Sequence, residues 1–344
     1  MIRVVLVDDS ASVRAVLRRF FAKTRDIRVV GEAEDGAQAL RAVLDFQPQV
    51  VVMDLQMPVM DGYAAIEQIM AVRPTPIVVL SSRANRNQMQ TAFEAMRRGA
   101  LEVLPKPEDT ASWQQLADSL PETVRAITAA KAQPRPKQPP ADAPEARLAR
   151  TAPQELRWVA IGASTGGPAA IRELLLEVPA DAPVGFAVVQ HIASGFELGM
   201  ADWLNKELPF DARLARDGEV LRRGMLRLAP GGAHLRLEAG GVLRLDAQGP
   251  ARRGHRPSVD DLFLSCAESC PREVAGVIMT GMGSDGVDGL LALRRAGGLT
   301  LAQDEASCSV FGMPRVALER GAAEIALPPR ALARALARVW GKAP

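Results

Sequence analysis

Apolar residues come along this chain in short uninterrupted runs, each followed by a stretch in which they recur every three or four positions. Before residue 125 the runs are IRVVLV, IRVVGE, QVVVMD, PIVVLS and ALEVLP. A strand built from such a run has no polar face, so both of its sides must be covered, as in a parallel sheet sandwiched between helices. The stretches between are helical: in ASVRAVLRRFFAK, Val13, Val16, Leu17 and Phe20 share a face. After residue 156, RWVAIGAS, VGFAVVQH and EVAGVIMTG repeat the rhythm, while MLRLAP and AHLRLEAGGVLRLDA read as strands with a Gly-Gly hairpin. The pattern predicts α/β architecture throughout: two doubly wound parallel-sheet domains, the second with an antiparallel hairpin.

Between the two sets of runs, residues 131–153 hold six prolines and almost no large apolar side chain. That composition cannot build a core and favours an extended linker. The expected division is therefore 1–125, a linker at 126–155, and 156–344, and 344 residues suit two domains that each bury a core. Net charge is +2; residues 1–130 carry 15 basic and 16 acidic groups, 151–344 carry 22 of each, and the excess lies in the linker. Neither domain has the basic face that nucleic-acid binding requires. Cys266, Cys270 and Cys308 are odd in number and lack metal-ligand spacing, which suits small core residues in a reducing cytosol. No signal peptide and no apolar run of membrane-spanning length is present, so the expectation is a cytoplasmic protein without direct membrane insertion.

Chemistry concentrates at the carboxyl ends of the expected strands, where ligands of doubly wound sheets bind. Asp8 and Asp9 end the first strand and Asp54 the third. Three carboxylates brought together repel unless a hard divalent cation such as Mg²⁺ lies among them, and Asp54 can then attack a phosphoryl donor. Ser81 ends the fourth strand and Lys106 follows the fifth, a hydroxyl and a cation able to meet the new phosphate. One acid at a strand end is as often a helix cap as a ligand. Five such groups at one sheet edge make capping a poor account.

These residues carry a resemblance. Residues 1 to about 125 are similar to the response-regulator receiver family through VDDS at 7–10, MDLQMPVMDG at 53–62, LSS at 80–82 and the Pro105-Lys106-Pro107 turn. The resemblance implies a flavodoxin-like fold, Asp54 as phospho-acceptor, Mg²⁺ held by Asp8, Asp9, Asp54 and the backbone carbonyl of Gln56, and phosphate sensing by Ser81 and Lys106. Val103 departs from the pattern, standing where many receivers carry an aromatic ring.

The second domain opens on IGASTGGP, in which Gly162-Ala163-Ser164-Thr165-Gly166 fits G-x-S-x-G, a sharp strand-to-helix turn that lifts a serine into view. A glycine-rich turn of this kind could equally cradle a dinucleotide phosphate. That reading expects an acid at the end of the next strand, yet AVVQH ends in Gln190 and His191. Asp285 follows the strand EVAGVIMTG in a loop with Gly281, Gly283 and Gly286. A carboxylate there could orient the imidazole of His191, which would take the serine proton. The other reading from another class is a non-catalytic regulator whose second domain binds a nucleotide or a partner protein.

From about residue 156 onward the chain resembles the chemotaxis protein-glutamate methylesterase (CheB) family, through IGASTGGP at 161–168, VVQHI at 188–192, HRPSVD at 255–260 and TGMGSDG at 280–286. The resemblance implies a Rossmann-like catalytic domain that hydrolyses γ-glutamyl methyl esters on the cytoplasmic helices of methyl-accepting chemoreceptors, releasing methanol, and deamidates certain glutamines. It further implies Ser164, His191 and Asp285 as triad, backbone oxyanion donors at Thr165 and Met282, no cofactor for the esterase step, and a CheA-type histidine kinase as phosphodonor. For His255 a place lining the site and a structural role stay open, and the role of His234 is unassigned.

Overall fold

The computed structural model describes residues 1–81, 86–131 and 156–340. The chain divides into two compact units, Met1–Gln133 and Pro134–Pro344.

In the first unit five strands, β1 (Ile2–Val7), β2 (Ile27–Ala33), β3 (Val50–Asp54), β4 (Ile77–Ser81) and β5 (Glu102–Pro105), form one sheet in the order β2-β1-β3-β4-β5. Every neighbouring pair is parallel. The apolar runs are buried on both faces: Val4, Val5, Val50, Val51, Ile77, Val78 and Val79 are all fully enclosed. The helices are α1 (Ala11–Ala22), α2 (Gly36–Phe46), α3 (Gly62–Val72), α4 (Arg86–Arg97) and α5 (Thr110–Lys131). Ser10, Asp35 and Asp61 cap the first three, each side-chain oxygen accepting an N–H of the first turn.

Two details differ from the sequence expectation. On α1 the buried residues are Leu17 and Phe21, whereas Phe20 turns to the rim and meets Trp113 of α5 with ring centroids 5.9 Å apart. The helix face is centred one residue further along because α5 supplies an aromatic partner that periodicity cannot register. Helix α5 also runs to Lys131, past the expected boundary at 125, since Leu120, Val124 and Ile127 continue its buried stripe. Of the linker expected at 126–155, residues 132–155 lie outside the described residues, as does Ser82 of the LSS motif.

The second unit is built on a seven-stranded sheet in the order β14-β13-β12-β6-β7-β9-β8. Its strands are β6 (Trp158–Ala163), β7 (Gly185–Gln190), β8 (Asp211–Leu214), β9 (Met225–Leu228), β12 (Val274–Ile278), β13 (Leu299–Gln303) and β14 (Ile325–Leu327). All of its pairings are parallel. The helices are α6 (Gly167–Leu176), α7 (Phe196–Glu207), α8 (Val259–Ser269), α9 (Val287–Arg295), α10 (Met313–Glu319) and α11 (Pro329–Val339). The antiparallel hairpin is β10 (His234–Leu237) with β11 (Leu243–Asp246), paired outside the main sheet. The MLRL run does not extend that excursion: β9 joins the parallel sheet beside β7. Arg227, 3% exposed, is tolerated there because Glu219 and Asp211 flank it at 2.7 and 3.0 Å.

Strand β7 lies on one side of β6 and β12 on the other, so the direction in which strands are added to the sheet reverses at β6, and the carboxyl ends of β6 and β12 form the switch point where ligands of such sheets bind. In the first unit the equivalent point lies between β1 and β3. Each centre inferred from sequence sits at one of these points.

Candidate active site and phosphorylation site

At the switch point of the first unit Asp8 and Asp54 are buried and Asp9 is exposed, with one oxygen of each within 4.8 Å of the others. The Lys106 ammonium pairs with Asp54 Oδ2 at 2.8 Å and Asp8 Oδ2 at 2.9 Å. Burial acts against the Lys106 charge, but hydrogen bonds to the two carboxylates outweigh it and hold its pKa above the ordinary value. Burial pushes the Asp8 pKa up, with Asp54 adding like-charge repulsion and Lys106 offsetting only part. Such a set, rich in carboxylate oxygen and with one member reluctant to ionise unaided, suits a hard divalent cation. Ser81 ends β4 opposite Pro105, and the Lys106 N–H donates to the Ser81 carbonyl at 2.7 Å, which brings hydroxyl and ammonium to neighbouring strand ends. Gln56 lies exposed just past β3. Val103 is packed inside β5 opposite Val79.

In the second unit Ser164 stands half-buried immediately after β6, and the chain turns at Gly166 (φ 76°) into α6. The neighbouring glycines are dictated by close approach. A Cβ at Gly162 would lie 2.0 Å from Val259 Cγ1, and one at Gly281 would lie 2.6 Å from Ser164 Cβ. Gly281 thus brings the loop after β12 against the serine, and Met282 follows it directly. Among the described residues the backbone N–H groups of Thr165 and Met282 take no backbone partner, whereas those of Ser164, Gly167 and Gly281 do.

His191 follows β7, and its Nε2 hydrogen bonds to Asp285 Oδ2 at 2.8 Å. The other ring nitrogen, Nδ1, is buried and makes no hydrogen bond. With Nε2–H donated to the carboxylate, the free lone pair of the neutral ring is on Nδ1. Asp285, 2% exposed, accepts three further bonds: from Ser258 Oγ at 2.7 Å, the Val259 N–H at 2.7 Å and the Asp260 N–H at 3.2 Å. The carboxylate therefore caps the N-terminus of α8 from outside the helix, and Ser258, the residue at the cap position, spends its hydroxyl on Asp285. Ser258 is held in turn by His234, whose Nδ1 accepts its N–H at 3.2 Å while Nε2 meets the Pro250 carbonyl at 3.1 Å. His234 thus has a structural place.

Burial alone would raise the Asp285 pKa, but the His191 hydrogen bond and charge, with Ser258 and Val259, hold it at about 2 against an ordinary 3.8. A folded-state value below the unfolded one stabilises the fold at pH above the unfolded pKa, and that contribution disappears as pH falls through the folded value. We expect roughly 2 kcal/mol of stability to be lost between about pH 4 and pH 2 through this group. Asp285→Asn should flatten that part of a denaturation-midpoint curve against pH; an unchanged slope would contradict the assignment.

Two further residues escaped the sequence reading. Gln190, 6% exposed, donates from Nε2 to the carbonyls of both Ser164 and His191, each at 2.8 Å, and so ties the end of β6 to the end of β7. A visible signal was its polar amide at the close of an apolar strand. Thr280, fully buried, donates from Oγ1 to the Thr165 carbonyl at 3.0 Å and steadies the turn after Ser164. No periodic pattern marks that role.

A sheet ordered 2-1-3-4-5 with acids at its switch point, followed by a parallel α/β domain with serine, histidine and aspartate gathered at its own, defines a response regulator with a hydrolase-type output domain. Residues 159–336 match the family model for CheB methylesterase, and residues 4–118 that for the response regulator receiver domain. The protein-glutamate methylesterase/protein-glutamine glutaminase of Symbiobacterium thermophilum is 40% identical over 362 residues, covering 99% of this chain and 98% of its own. Number 3 of the proteins so named in Anaeromyxobacter dehalogenans is 42% identical over 342 residues, covering 99% of each. The crystal structure of the Thermotoga maritima CheB methylesterase catalytic domain superposes with a TM-score of 0.51 at 34% identity, covering 53% of this chain and 97% of that one. The chain belongs to the CheB methylesterase family and carries that family's receiver domain in front.

Proposed function

We propose that this protein is a phosphorylation-activated hydrolase that removes methyl groups from glutamate methyl esters of chemoreceptors and deamidates their glutamines, with Ser164, His191 and Asp285 as its triad. The observation that carries the triad is the 2.8 Å bond from His191 to a buried Asp285 beside the Ser164 turn.

In the reaction, Ser164 Oγ attacks the ester carbonyl carbon while His191 Nδ1 takes its proton. The carbonyl oxygen becomes an oxyanion and is received by the N–H groups of Thr165 and Met282. Collapse breaks the carbon–oxygen bond to the methoxy group, His191 returns the proton to it, and methanol leaves. Water, deprotonated by His191, then attacks the acyl-serine, and glutamate and free serine result. With a glutamine side chain the same steps release ammonia. Asp285, ionised down to about pH 2, keeps Nε2–H in place and balances the charge on His191.

In the receiver, Asp54 attacks the phosphoryl group of a histidine-kinase phosphodonor and becomes an acyl phosphate. Asp8, Asp9, Asp54 and the Gln56 carbonyl would hold Mg²⁺, which supplies positive charge against the phosphoryl oxygens. Lys106, already bound to Asp54, shifts onto the phosphate with Ser81 as a second partner. Among the described residues no helix is long and apolar enough to cross a membrane, which fits action on the receptors' cytoplasmic helices from solution.

The test is methanol release from methylated receptor membranes by the full-length protein, with and without acetyl phosphate and Mg²⁺. Release that rises with the phosphodonor supports the reading. No release under either condition rules it out.

A further inference from the structure

His255 lies outside the triad, yet its ring is stacked face to face on that of His191, with centroids 3.8 Å apart and planes 2° from parallel. The hydrogen bond to Asp285 fixes one atom of the His191 ring but leaves it free to tilt about that bond. A parallel plate against its face removes that freedom. Together the two contacts define where Nδ1 points.

The segment that presents His255 is built for placement. Arg252 and His255 exchange both backbone hydrogen bonds, at 3.0 and 2.9 Å, and the residues between them, Arg253 (φ 50°) and Gly254 (φ 84°), are both left-handed. This is a tight I′-type turn with a strained non-glycine residue at its first central position. Three arginines hold it down. Arg252 pairs with Asp261 at 2.8 Å; Arg253 pairs with Asp288 and lies 3.5 Å from Asp260; Arg256 donates to the Gly249 carbonyl at 2.9 Å. Asp260 and Asp261 belong to the first turn of α8, whose N-terminus clamps Asp285, and Asp288 to the first turn of α9, just beyond Asp285. The stacked ring and the carboxylate are therefore referenced to the same two helices.

We propose that His255 is a positioning residue for the His191 base, a plate held by an arginine-anchored turn that sets the tilt of the catalytic imidazole. The inference rests on the triad reading above. Burial, and then the like charge of His191, lower the His255 pKa, with Asp285 offsetting part. His255 thus stays neutral while His191 carries the proton in the transition state, and a neutral aromatic face beside an imidazolium is favourable.

The test compares His255→Ala and His255→Phe in the full-length protein for kcat, KM, thermal midpoint and pH dependence. A misdirected base costs turnover rather than substrate affinity, so His255→Ala should lower kcat roughly 10- to 100-fold with KM and midpoint nearly unchanged. His255→Phe, which keeps the plate, should recover most of that loss. The titratable groups that act on the His255 ring are His191 across the stack and Asp285, while Arg252, Arg253 and Arg256 beside it in sequence are engaged by Asp261, by Asp260 and Asp288, and by the Gly249 carbonyl. The His255 pKa lies below the ordinary value, so protonation of its ring should add a loss of kcat/KM at acid pH in wild type that is absent from His255→Phe. Full activity of His255→Ala would overturn the proposal. So would a Phe variant as slow as Ala, or a loss of kcat that merely follows a loss of thermal stability. Ser164→Ala, measured alongside, separates the two levels: if it keeps its activity the triad reading fails, whatever His255 does.

Discussion

Ser164→Ala is expected to abolish methanol release from methylated receptor membranes, lowering kcat by about 10⁴-fold or more while the protein still folds. Ser164 is half-buried just past the carboxyl end of β6, and among the described residues its side chain makes none of the hydrogen bonds that hold the turn. Removing the hydroxyl therefore deletes the proposed nucleophile and little else. His191→Ala should cost about as much, and the double variant scarcely more than either, because groups that act as one unit do not contribute additively. Asp285→Asn should cost less than loss of the serine. The amide can still accept through its oxygen, but its NH₂ group must face either Ser258 Oγ and the Asp260 N–H or His191 and the Val259 N–H, all donors to the present carboxylate. Substantial methanol release by Ser164→Ala would remove the nucleophile from the scheme.

Asp54→Ala should hold at the basal rate when acetyl phosphate and Mg²⁺ are added, while the wild type rises by roughly 5- to 150-fold, the span of ordinary coupling free energies. Asp54 is the proposed phospho-acceptor, and the Lys106 ammonium holds its Oδ2 at 2.8 Å, so the alanine variant has no carboxylate at that position to phosphorylate. A chelator should remove the stimulation of the wild type and leave basal hydrolysis untouched, since the esterase steps need only side chains and backbone N–H groups. Equal stimulation of wild type and Asp54→Ala would show that the phosphodonor acts elsewhere.

Much of the architecture was legible because doubly wound sheets bury their strands completely, and complete burial leaves a mark in one dimension. The runs ending at Val7, Asp54, Ser81, Ala163, Gln190 and Ile278 are strands, and the candidate reactive residues stand at their last positions or in the loops that follow. The weaker edge strands Asp211–Leu214 and Ile325–Leu327 left no comparable mark, being short and only partly buried. The parallel direction of β9 was also hidden, because a four-residue run bears no sign of which neighbour it will join.

What the chain determined by itself was the identity and order of the candidate reactive groups. Glycines fall where the backbone must pass close to Ser164, acids fall at strand ends of the receiver, and a histidine stands where a nucleotide fold would place an acid. These are local facts, written by strand burial and turn sterics within a few residues. Tertiary structure alone decided how the groups are aimed. Asp285 meets Ser258 across 27 positions and His191 across 94, Gln190 reaches back 26 to the Ser164 carbonyl, and His255 covers the imidazole from a turn pinned to two helices. Hydrogen bonds and ring stacking act over a few ångströms in space and carry no period along the chain, so only folding brings such partners within reach.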